Sequence, residues 1–329
     1  MHNFAVTGVG GFVAPRHLKA ITATGNRVIA AVDPHDAVGI LDRYSFDVRF
    51  FTEFERFDRH LEKLRRGPAD ARVHYLSVCS PNYLHDAHVR LALRIGADAI
   101  CEKPLVINPW NLDTLQELER ETGRRVFTVL QLRVHPALVE LKNRLDAAAD
   151  RTHDVELTYI TARGRWYETS WKGSEERSGG LPLNIGIHFF DLLGWLFGSV
   201  RQNLVHLREA VRAAGLLQFD RARVRWYLST DGSDLPFELQ PGAKTTYRAI
   251  TIDGAELEFT EGFADLHTEI YRQVLAGRGF GIDDARPSIE LTSQIRNARV
   301  RFDADAAHPW LARRIQSSRA TRTRRSGDR

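Results

Sequence analysis

The chain has 329 residues, of which 43% are hydrophobic and 27% are charged. This composition is typical of a globular protein of about two domains, and it excludes a disordered, fibrous or disulfide-stapled protein. The formal net charge is +4, but residues 312–329 contain seven arginines and a single acid. That segment therefore carries +6 and residues 1–311 carry −2, so the basic charge belongs to the C-terminal end.

The compartment is predicted from the cysteines and from the absence of targeting patterns. Cys79 and Cys101 each end a short apolar run and predict buried, reduced thiols. The first residues, MHNFAVTGVGG, have neither a basic region nor a long apolar run, so no signal peptide is predicted. The most apolar stretch, residues 184–198, is too short and too polar for a membrane span. We expect a cytoplasmic protein with no membrane partner.

Residues 1–131 alternate between strand and helix patterns. The predicted strands are Phe4–Val9, Arg27–Val32, Val73–Cys79, Ala97–Cys101 and Val126–Gln131. The predicted helices are Ala14–Thr24, one from Thr52 with a capping box to Glu55, Leu84–Ile95, and one from Asn108-Pro109 to Thr122. This alternation predicts an α/β domain built on a parallel sheet that is covered on both faces.

The pattern changes from about residue 132. A helix at Pro136–Ala149 is followed by strand patterns at Asp154–Thr161, Ser199–Leu207, Leu216–Phe219, Val224–Thr230, Tyr247–Ile252 and Glu256–Thr260. Two late helices are predicted at Ala264–Ala276 and Pro287–Arg299. We therefore predict an α+β domain over 132–311 with a mostly antiparallel open sheet. Residues 312–329 have few apolar side chains, which predicts a disordered basic tail.

A glycine-rich turn follows the first predicted strand and opens the first helix. It contains Gly8, Gly10 and Gly11, followed by Phe12 and Val13. Glycines there let a pyrophosphate approach the helix N-terminus, although Val13 stands where the usual motif has its third glycine. Asp33 ends the second strand, where a carboxylate binds ribose hydroxyls and favours NAD over NADP. The alternative is a glycine-rich turn in another kind of α/β protein.

Two further strand ends carry polar residues, and ligands of open α/β sheets bind beyond such ends. Ser80 and Asn82, followed by His85, come after one strand, and Glu102 and Lys103 come after the next. Only six lysines occur beside forty arginines. Because a lysine can lose its proton and an arginine cannot, Lys103 is a candidate base, whereas a surface salt bridge explains most of the other lysines.

Residues 184–198 predict a helix that is apolar on most of its surface. At about 100° per residue, Asn184, His188 and Asp191 fall on one polar stripe. A buried polar stripe is costly unless its groups are paired or line a ligand site. We therefore predict a site there, against the alternative of a structural histidine.

Cations and aromatic rings alternate upstream of this helix. They are Arg163, Arg165, Trp166, Tyr167, Trp171 and Lys172. Such a set suits a ligand with phosphates and rings. A solvated strand with packed aromatics explains it equally well.

Together these motifs resemble the Gfo/Idh/MocA family of nicotinamide-dependent sugar and polyol dehydrogenases. The resemblance covers about residues 3–311 and rests on the glycine turn with Asp33, on Ser80-Pro81-Asn82 with His85, on Glu102-Lys103-Pro104, and on Gly186-x-His188-x-x-Asp191 after Gly179-Gly180. It implies a Rossmann domain at 1–131 and a substrate-binding and oligomerisation domain at 132–311.

Within the family, segments such as SPNYLHDAH, CEKPL and SWKGSEERSGG resemble the UDP-N-acetyl-2-amino-2-deoxyglucuronate dehydrogenases of the WlbA/WbpB type. This implies oxidation of the C3 hydroxyl of UDP-N-acetylglucosaminuronic acid by NAD, in the biosynthesis of diacetamido-uronic acid surface polysaccharides such as O-antigen. Asn184 departs from the broader family, which usually has an Asp there, and agrees with the subgroup. The resemblance also implies a homo-oligomer, a tetramer or dimer, and allows 2-oxoglutarate as a hydride acceptor.

The resemblance assigns roles to single residues. Lys103 and His188 are the candidate catalytic bases. The cofactor residues are Gly8, Gly10, Gly11, Phe12, Val13, Asp33, Ser80, Asn82, His85, Glu102, Lys103 and Gln131. The substrate residues are Lys103, Arg163, Arg165, Trp166, Tyr167, Trp171, Lys172, Asn184 and His188. No metal is predicted.

Three alternatives remain at this point. The same fold could oxidise another sugar or polyol, such as a free sugar or inositol. A non-catalytic NAD-binding sensor would not need the two proton acceptors. Nucleic-acid binding would have to use the basic tail, so nucleic acid is not the partner we predict.

Overall fold

The computed structural model describes residues 1–148, 151–240, 244–257 and 265–315. The chain divides into two units. Unit 1 comprises Met1–Leu141, Glu176–Ser178 and the described part of Thr260–Glu290. Unit 2 comprises the described parts of Lys142–Glu175, Gly179–Phe259 and Leu291–Arg329.

Unit 1 is built on a six-stranded parallel sheet. Its strands are β1 (Asn3–Thr7), β2 (Arg27–Val32), β3 (Arg49–Phe51), β4 (Tyr75–Val78), β5 (Asp98–Cys101) and β6 (Val126–Thr128), in the order β3-β2-β1-β4-β5-β6. The chain reverses its direction of growth between β1 and β4, and their carboxyl ends form the edge at which dinucleotides bind in such sheets. The structure thus confirms the predicted α/β fold class of the N-terminal part.

Helices connect these strands. They are α1 (Ala14–Ala23), α2 (Val38–Leu41), α3 (Phe54–Arg66), α4 (His85–Arg94) and α5 (Trp110–Thr122). α5 ends where Gly123 takes a left-handed conformation, with φ 65°. The capping box predicted at Thr52 is wrong, because the N-cap residue of α3 is Glu53 and no side-chain hydrogen bond caps it.

A late segment of the chain belongs to unit 1. It forms α10 (Leu266–Leu275) and the first part of α11 (Ile282–Asn297). Ile270, Tyr271 and Val274 join the apolar cluster that contains Phe4 and Ile21. The structure therefore differs from the predicted boundaries, since the apolar face of α10 is buried in the first core rather than in a continuous 132–311 domain.

Unit 2 is built on a six-stranded mixed sheet. Its strands are β7 (His153–Thr161), β8 (Val200–Arg208), β9 (Arg212–Phe219), β10 (Ala222–Ser229), β11 (Thr246–Ile252) and β12 (Ala255–Glu256), in the order β12-β11-β7-β10-β9-β8. β7 and β10 pair in parallel, and the other neighbours pair antiparallel. This confirms a mostly antiparallel second sheet. The last residues of the strand predicted at Glu256–Thr260 lie outside the described residues.

Four further helices lie between β6 and β8 in the chain. They are α6 (Pro136–Ala147), α7 (Arg165–Thr169), α8 (Glu175–Ser178) and α9 (Ile187–Phe197). α11 begins five residues before Pro287, which lies inside the helix instead of starting it. A stretch at Glu175–Phe197 is long and apolar enough to cross a membrane by length and composition, but 72% of its most apolar window is buried. The core helix of a water-exposed protein passes the same test.

The start of the predicted basic tail is helical. Residues 309–315 form a helix, in which Leu311 joins a core cluster with Ile160 and Tyr227. Arg314 extends towards Asp234, at 3.5 Å. The prediction of disorder from residue 312 is therefore wrong for 312–315, because Leu311 and Ile315 bring this turn onto the core. The rest of the tail lies outside the described residues.

Candidate active site

The glycine turn follows β1 in a conformation that only glycine adopts easily. Gly8 has φ 72°, and a Cβ atom there would lie 2.6 Å from both the Cys79 oxygen and the Ser80 nitrogen. Glycine thus lets the turn pass directly over the end of β4. Gly10 and Phe12 are exposed directly before α1, which leaves room for a phosphate at the N-terminus of this helix, so the residues present fit a dinucleotide.

Asp33, the predicted acceptor for the ribose hydroxyls, also holds the glycine turn in place. Its Oδ2 accepts from the Gly10 nitrogen at 2.9 Å, and its Oδ1 accepts from the His35 nitrogen at 3.0 Å. A Cβ atom on Gly10 would lie 3.1 Å from this carboxyl group. The second glycine therefore permits a close contact between the turn and the acid that ends β2.

The two residues after the glycines have different environments. Phe12 is 85% exposed, with the Arg16 guanidinium 5.4 Å from its ring centre. Val13 is the N-cap residue of α1 and is half-buried. An exposed aromatic ring beside the turn is available to a bound ligand.

The polar residues after β4 are buried and hydrogen-bonded. The Ser80 hydroxyl lies 2.8 Å from His88 Nδ1, and the Asn82 amide donates to the Ser178 oxygen at 2.9 Å. His85 Nε2 lies 2.8 Å from the Ser80 oxygen and Nδ1 lies 2.7 Å from the Pro104 oxygen. Burial lowers the pKa of His85, while these two hydrogen bonds act in the opposite direction. His85 thus links the turn after β4 to the turn after β5.

The Glu102-Lys103-Pro104 turn comes directly after β5. Glu102 is buried, Lys103 is half-buried, and the Lys103–Pro104 peptide bond is cis. The Lys103 backbone nitrogen donates to Glu102 Oε2 at 3.2 Å. Glu102 Oε1 accepts from His17 and His267, each at 2.9 Å. The structure thus gives the predicted cofactor residue Glu102 a set of buried partners.

Gln131 lies after the end of β6 rather than at the end of a strand. β6 stops at Thr128, and Gln131 opens a single 3₁₀ turn, Gln131–Val134, where it is half-buried. Its predicted contact with the cofactor remains a prediction.

Unit 2 brings together several of the predicted substrate residues. The Asn184 amide donates to the Tyr167 hydroxyl at 2.8 Å, and both side chains are buried. The Lys172 ammonium lies 5.2 Å from the Trp166 ring centre and 5.6 Å from that of Trp171. This is a cation held between aromatic rings, a geometry that stabilises a partly desolvated charge.

Burial shifts the pKa of the polar groups in this cluster. It lowers the pKa of Lys172, and the positive charge of Arg163 lowers it further. Burial also raises the pKa of Tyr167, so the hydroxyl stays protonated. The half-buried Lys172 ammonium and the neighbouring Arg163 guanidinium form a pair of cations that attracts an anionic group. Arg165 lies exposed at the start of α7.

The predicted polar stripe begins in an irregular turn. Asn184 lies in the π-helical turn Pro182–Gly186, and the α-helix α9 begins only at Ile187. His188 is half-buried on α9, and Asp191 is buried. π-Helical turns are frequent at functional sites, which agrees with the prediction of a site near Asn184.

Sequence reasoning missed the partners of Glu102. His17 lies on the apolar face of α1, and His267 and Tyr271 lie one turn apart on α10. Their only signal in the sequence is a polar residue at a buried helical position, and a satisfied structural histidine gives the same signal. The Nε2 atoms of the two histidines and one carboxylate oxygen of Glu102 lie within 4.8 Å of one another.

Both domains match family models. Residues 2–130 match the oxidoreductase family with an NAD-binding Rossmann fold, and residues 151–309 match the C-terminal α/β domain of the same family. The chain belongs to the Gfo/Idh/MocA oxidoreductase family. This confirms the resemblance inferred from the motifs, and with it the Rossmann domain and NAD as its cofactor.

Solved structures of one family member are similar along most of this chain. The WlbA (WbpB) dehydrogenase from Thermus thermophilus, in complex with NAD and UDP-GlcNAcA, is 50% identical, with a TM-score of 0.88. The match covers 94% of this chain and 100% of that one. The same enzyme with NAD and alpha-ketoglutarate gives 51% identity, the same two coverages and a TM-score of 0.89.

Curated family members match over shorter stretches. The 2,7-anhydro-N-acetylneuraminate hydratase of Mediterraneibacter gnavus is 26% identical over 63% of this chain. The chain spans 54% of that hydratase and 28% of the oxidoreductase YteT of Bacillus subtilis. These relatives therefore support the family and carry no conclusion about the substrate.

Proposed function

We propose that the protein is an NAD-dependent dehydrogenase that oxidises the C3 hydroxyl of UDP-N-acetylglucosaminuronic acid to a ketone. The observation that carries this proposal is the 50% identity to the Thermus thermophilus WlbA dehydrogenase, over the full length of that chain. In this proposal residues 1–131 hold NAD and the 132–311 region supplies the groups for the sugar nucleotide. The product would enter the biosynthesis of a diacetamido-uronic acid surface polysaccharide in the cytoplasm.

In the first half of the proposed mechanism, the chain's residues bind the cofactor. The Gly8–Gly11 turn receives the pyrophosphate, and Asp33 accepts from the adenosine ribose. Ser80, Asn82, His85, Glu102 and Gln131 shape the nicotinamide end, His85 by linking two backbone turns. NAD, when bound, supplies a nicotinamide ring that accepts a hydride.

In the second half, the chain's residues take the proton. The C3 hydroxyl loses its proton to Lys103 or His188 while the C3 hydride leaves, so the alcohol is oxidised by two electrons. Asn184 is held by Tyr167 and orients a sugar hydroxyl. Arg163, Arg165 and Lys172 bind the uronate carboxylate or the diphosphate, and Trp166 and Trp171 pack against a ring.

The assay compares the proposed substrate with compounds that lack its carboxylate, its UDP group or both. The purified full chain is given NAD with UDP-N-acetylglucosaminuronic acid, UDP-N-acetylglucosamine, a free uronate or inositol, and NADH is followed by absorbance. We expect turnover only with the sugar nucleotide that carries the carboxylate. Turnover with a free sugar or inositol and none with the UDP-uronate would replace this function by the second candidate, a family dehydrogenase of free sugars or polyols.

We also propose 2-oxoglutarate as the acceptor that reoxidises the cofactor, and a homo-oligomeric assembly of dimers or tetramers. The Thermus thermophilus complex with alpha-ketoglutarate supports the first proposal. Addition of 2-oxoglutarate to the assay should produce 2-hydroxyglutarate and abolish the accumulation of NADH. Light scattering on the purified chain measures the number of subunits.

A further inference from the structure

A chain of buried hydrogen bonds runs through unit 1, and Glu102 is its one member that the mechanism above uses. The Ser77 hydroxyl lies 2.6 Å from the Tyr271 hydroxyl, which lies 2.8 Å from His17 Nδ1. His17 Nε2 and His267 Nε2 each lie 2.9 Å from Glu102 Oε1. All five side chains are buried or nearly so. The chain joins β4, α1, the turn after β5 and α10.

The donors and acceptors of this chain can be assigned in order. An ionised Glu102 only accepts, so both histidine Nε2 atoms donate to it. Burial lowers the pKa of His17, so its ring is neutral and its Nδ1 must accept from Tyr271. Tyr271 in turn accepts from the Ser77 hydroxyl. Each link is satisfied within the described residues, without any added group.

The two histidines keep Glu102 charged. Burial opposes ionisation of this carboxyl group, but the hydrogen bonds from His17 and His267 outweigh burial and hold its pKa well below the ordinary range. Its second oxygen accepts the backbone N–H of Lys103 at 3.2 Å. A protonated Glu102 would lose acceptor strength towards that N–H. The charge state of Glu102 therefore bears on the peptide that carries Lys103.

The groups that interact electrostatically with this chain come from several elements. Arg16 on α1 acts on His17, and Cys79 after β4 acts on Tyr271. The charge of Glu102 acts on Cys101 of β5 and on His85 of α4. The charge of Glu102 raises the pKa of Cys79 and Cys101 beyond the effect of burial, so both stay thiols. The carboxylate thus faces neutral thiols and its two histidine donors.

We propose that His17 and His267 are positioning residues of the reaction: by holding Glu102 as an ionised acceptor, they fix the Glu102-Lys103-Pro104 turn and so place the Lys103 amine. This inference rests on the proposed function for the role of Lys103. A metal ion between the same three ligand atoms would need both Nε2 lone pairs and would replace both hydrogen bonds. The hydrogen-bonded arrangement is complete without one, so metal content becomes an outcome of the test.

The test uses two substitutions at His267. In His267→Gln the amide can donate where the imidazole Nε2 donates, whereas His267→Met fills similar space without a donor. We expect His267→Gln to keep most of kcat and His267→Met to lower kcat by roughly tenfold or more, the effect of losing one hydrogen bond to a charged group. The dissociation constant of NAD, measured without substrate, should change much less. Tyr271→Phe, which removes a hydroxyl further along the hydrogen-bonded chain, should also lower kcat, but by a smaller factor.

A second measurement follows the turn directly. Because the chain has six lysines, labelling with [¹⁵N]lysine gives at most six backbone amide signals, and Lys103→Arg identifies that of Lys103. In wild type and His267→Gln this amide shift should stay constant from about pH 5 to about pH 8, since Glu102 stays ionised. In His267→Met it should titrate, because Glu102 takes up a proton within that range.

The controls separate the possible failures. His60 lies on α3, outside the hydrogen-bonded chain. His60→Gln and His60→Met should therefore leave both kcat and the chemical shift of the Lys103 amide unchanged. An unchanged Lys103 amide and kcat in folded His267→Met, equal losses in the Gln and Met variants, or stoichiometric metal in the purified wild type would overturn the inference. Absence of any dehydrogenase activity in wild type, with the amide still titrating only in His267→Met, would instead overturn the proposed function.

Discussion

At the residue scale, Gly8 belongs to the turn that we propose receives the pyrophosphate of NAD. Its φ is 72°, and a Cβ atom added there would lie 2.6 Å from the backbone oxygen of Cys79, directly after β4. Gly25 has a similar φ of 75°, but an added Cβ atom would meet no atom within 4 Å. Gly8→Ala should therefore destabilise the fold by more than the ~1 kcal/mol that a left-handed conformation alone costs at Gly25→Ala. It should also weaken NAD binding, because the strand end or the turn must move.

Urea unfolding of the two glycine variants measures the first effect, and NAD titration measures the second. Equal destabilisation in both variants, together with unaltered NAD affinity in Gly8→Ala, would contradict the role given to this turn.

Lys103 and His188 are the two candidate proton acceptors of the proposed chemistry. Lys103→Met and His188→Asn should each lower kcat by about 100-fold or more, while the affinity for NAD is retained. Steady-state NADH formation and NAD titration on the same preparations check this. Full activity in both variants would show that the proton goes elsewhere.

Sequence reasoning at this scale identified residues by type and could not supply their partners. Asp33 was expected to contact a ribose, and the structure adds its bond to the Gly10 nitrogen. His85 was predicted to help place the nicotinamide half, and the structure adds that its ring lies between two backbone carbonyls. Such contacts depend on residues far apart in the chain, as in the 165 positions that separate Glu102 from His267.

At the scale of elements, α4 carries a buried histidine that makes the protein sensitive to acid. Burial lowers the pKa of His88 from 6.5 to about 4, and the charge of His85 contributes to the same shift. The folded state therefore keeps His88 neutral while the unfolded chain takes up a proton. The contribution of His88 to the free energy of unfolding is complete above about pH 6.5 and is lost as the pH falls towards 4. The loss is at most about 1.4 kcal/mol per pH unit.

His88→Asn keeps a polar group near the hydroxyls of Ser80 and Thr7 but cannot take up that proton. The free energy of unfolding of this variant should fall less steeply between about pH 6.5 and about pH 4 than that of wild type. Above about pH 7 the difference between the two proteins should be constant. Parallel curves throughout the acid range would contradict the buried, neutral state of His88.

Element boundaries were predictable where apolar periodicity and glycine or proline agreed. β2 was predicted with its observed bounds, Arg27–Val32. β3, with only three residues, gave too short a pattern to be recognised. The π-helical turn at Pro182–Gly186 could not be predicted because periodicity there is that of an ordinary helix.

At the scale of the whole molecule, the sequence predicted two domain classes in the right order, and the family models confirm them. It did not predict that α10 packs in the core of unit 1, because the apolar periodicity of a helix does not indicate which sheet the helix packs against.

The net charge of residues 1–311 has a consequence for substrate binding. With −2 on residues 1–311, an anionic UDP-uronate gains no general attraction, so a few placed cations such as Arg163 and Lys172 must supply its binding.

The central claim, hydride transfer from C3 of a UDP-linked uronate, is tested most directly by isotopic labelling. The full chain is given NAD and UDP-N-acetylglucosaminuronic acid deuterated at C3, with and without 2-oxoglutarate, and the products are analysed by mass spectrometry. The account predicts deuterium in NADH, or in 2-hydroxyglutarate when 2-oxoglutarate is present, and a sugar nucleotide that has lost the label. A sugar nucleotide that is turned over but retains its deuterium would contradict it.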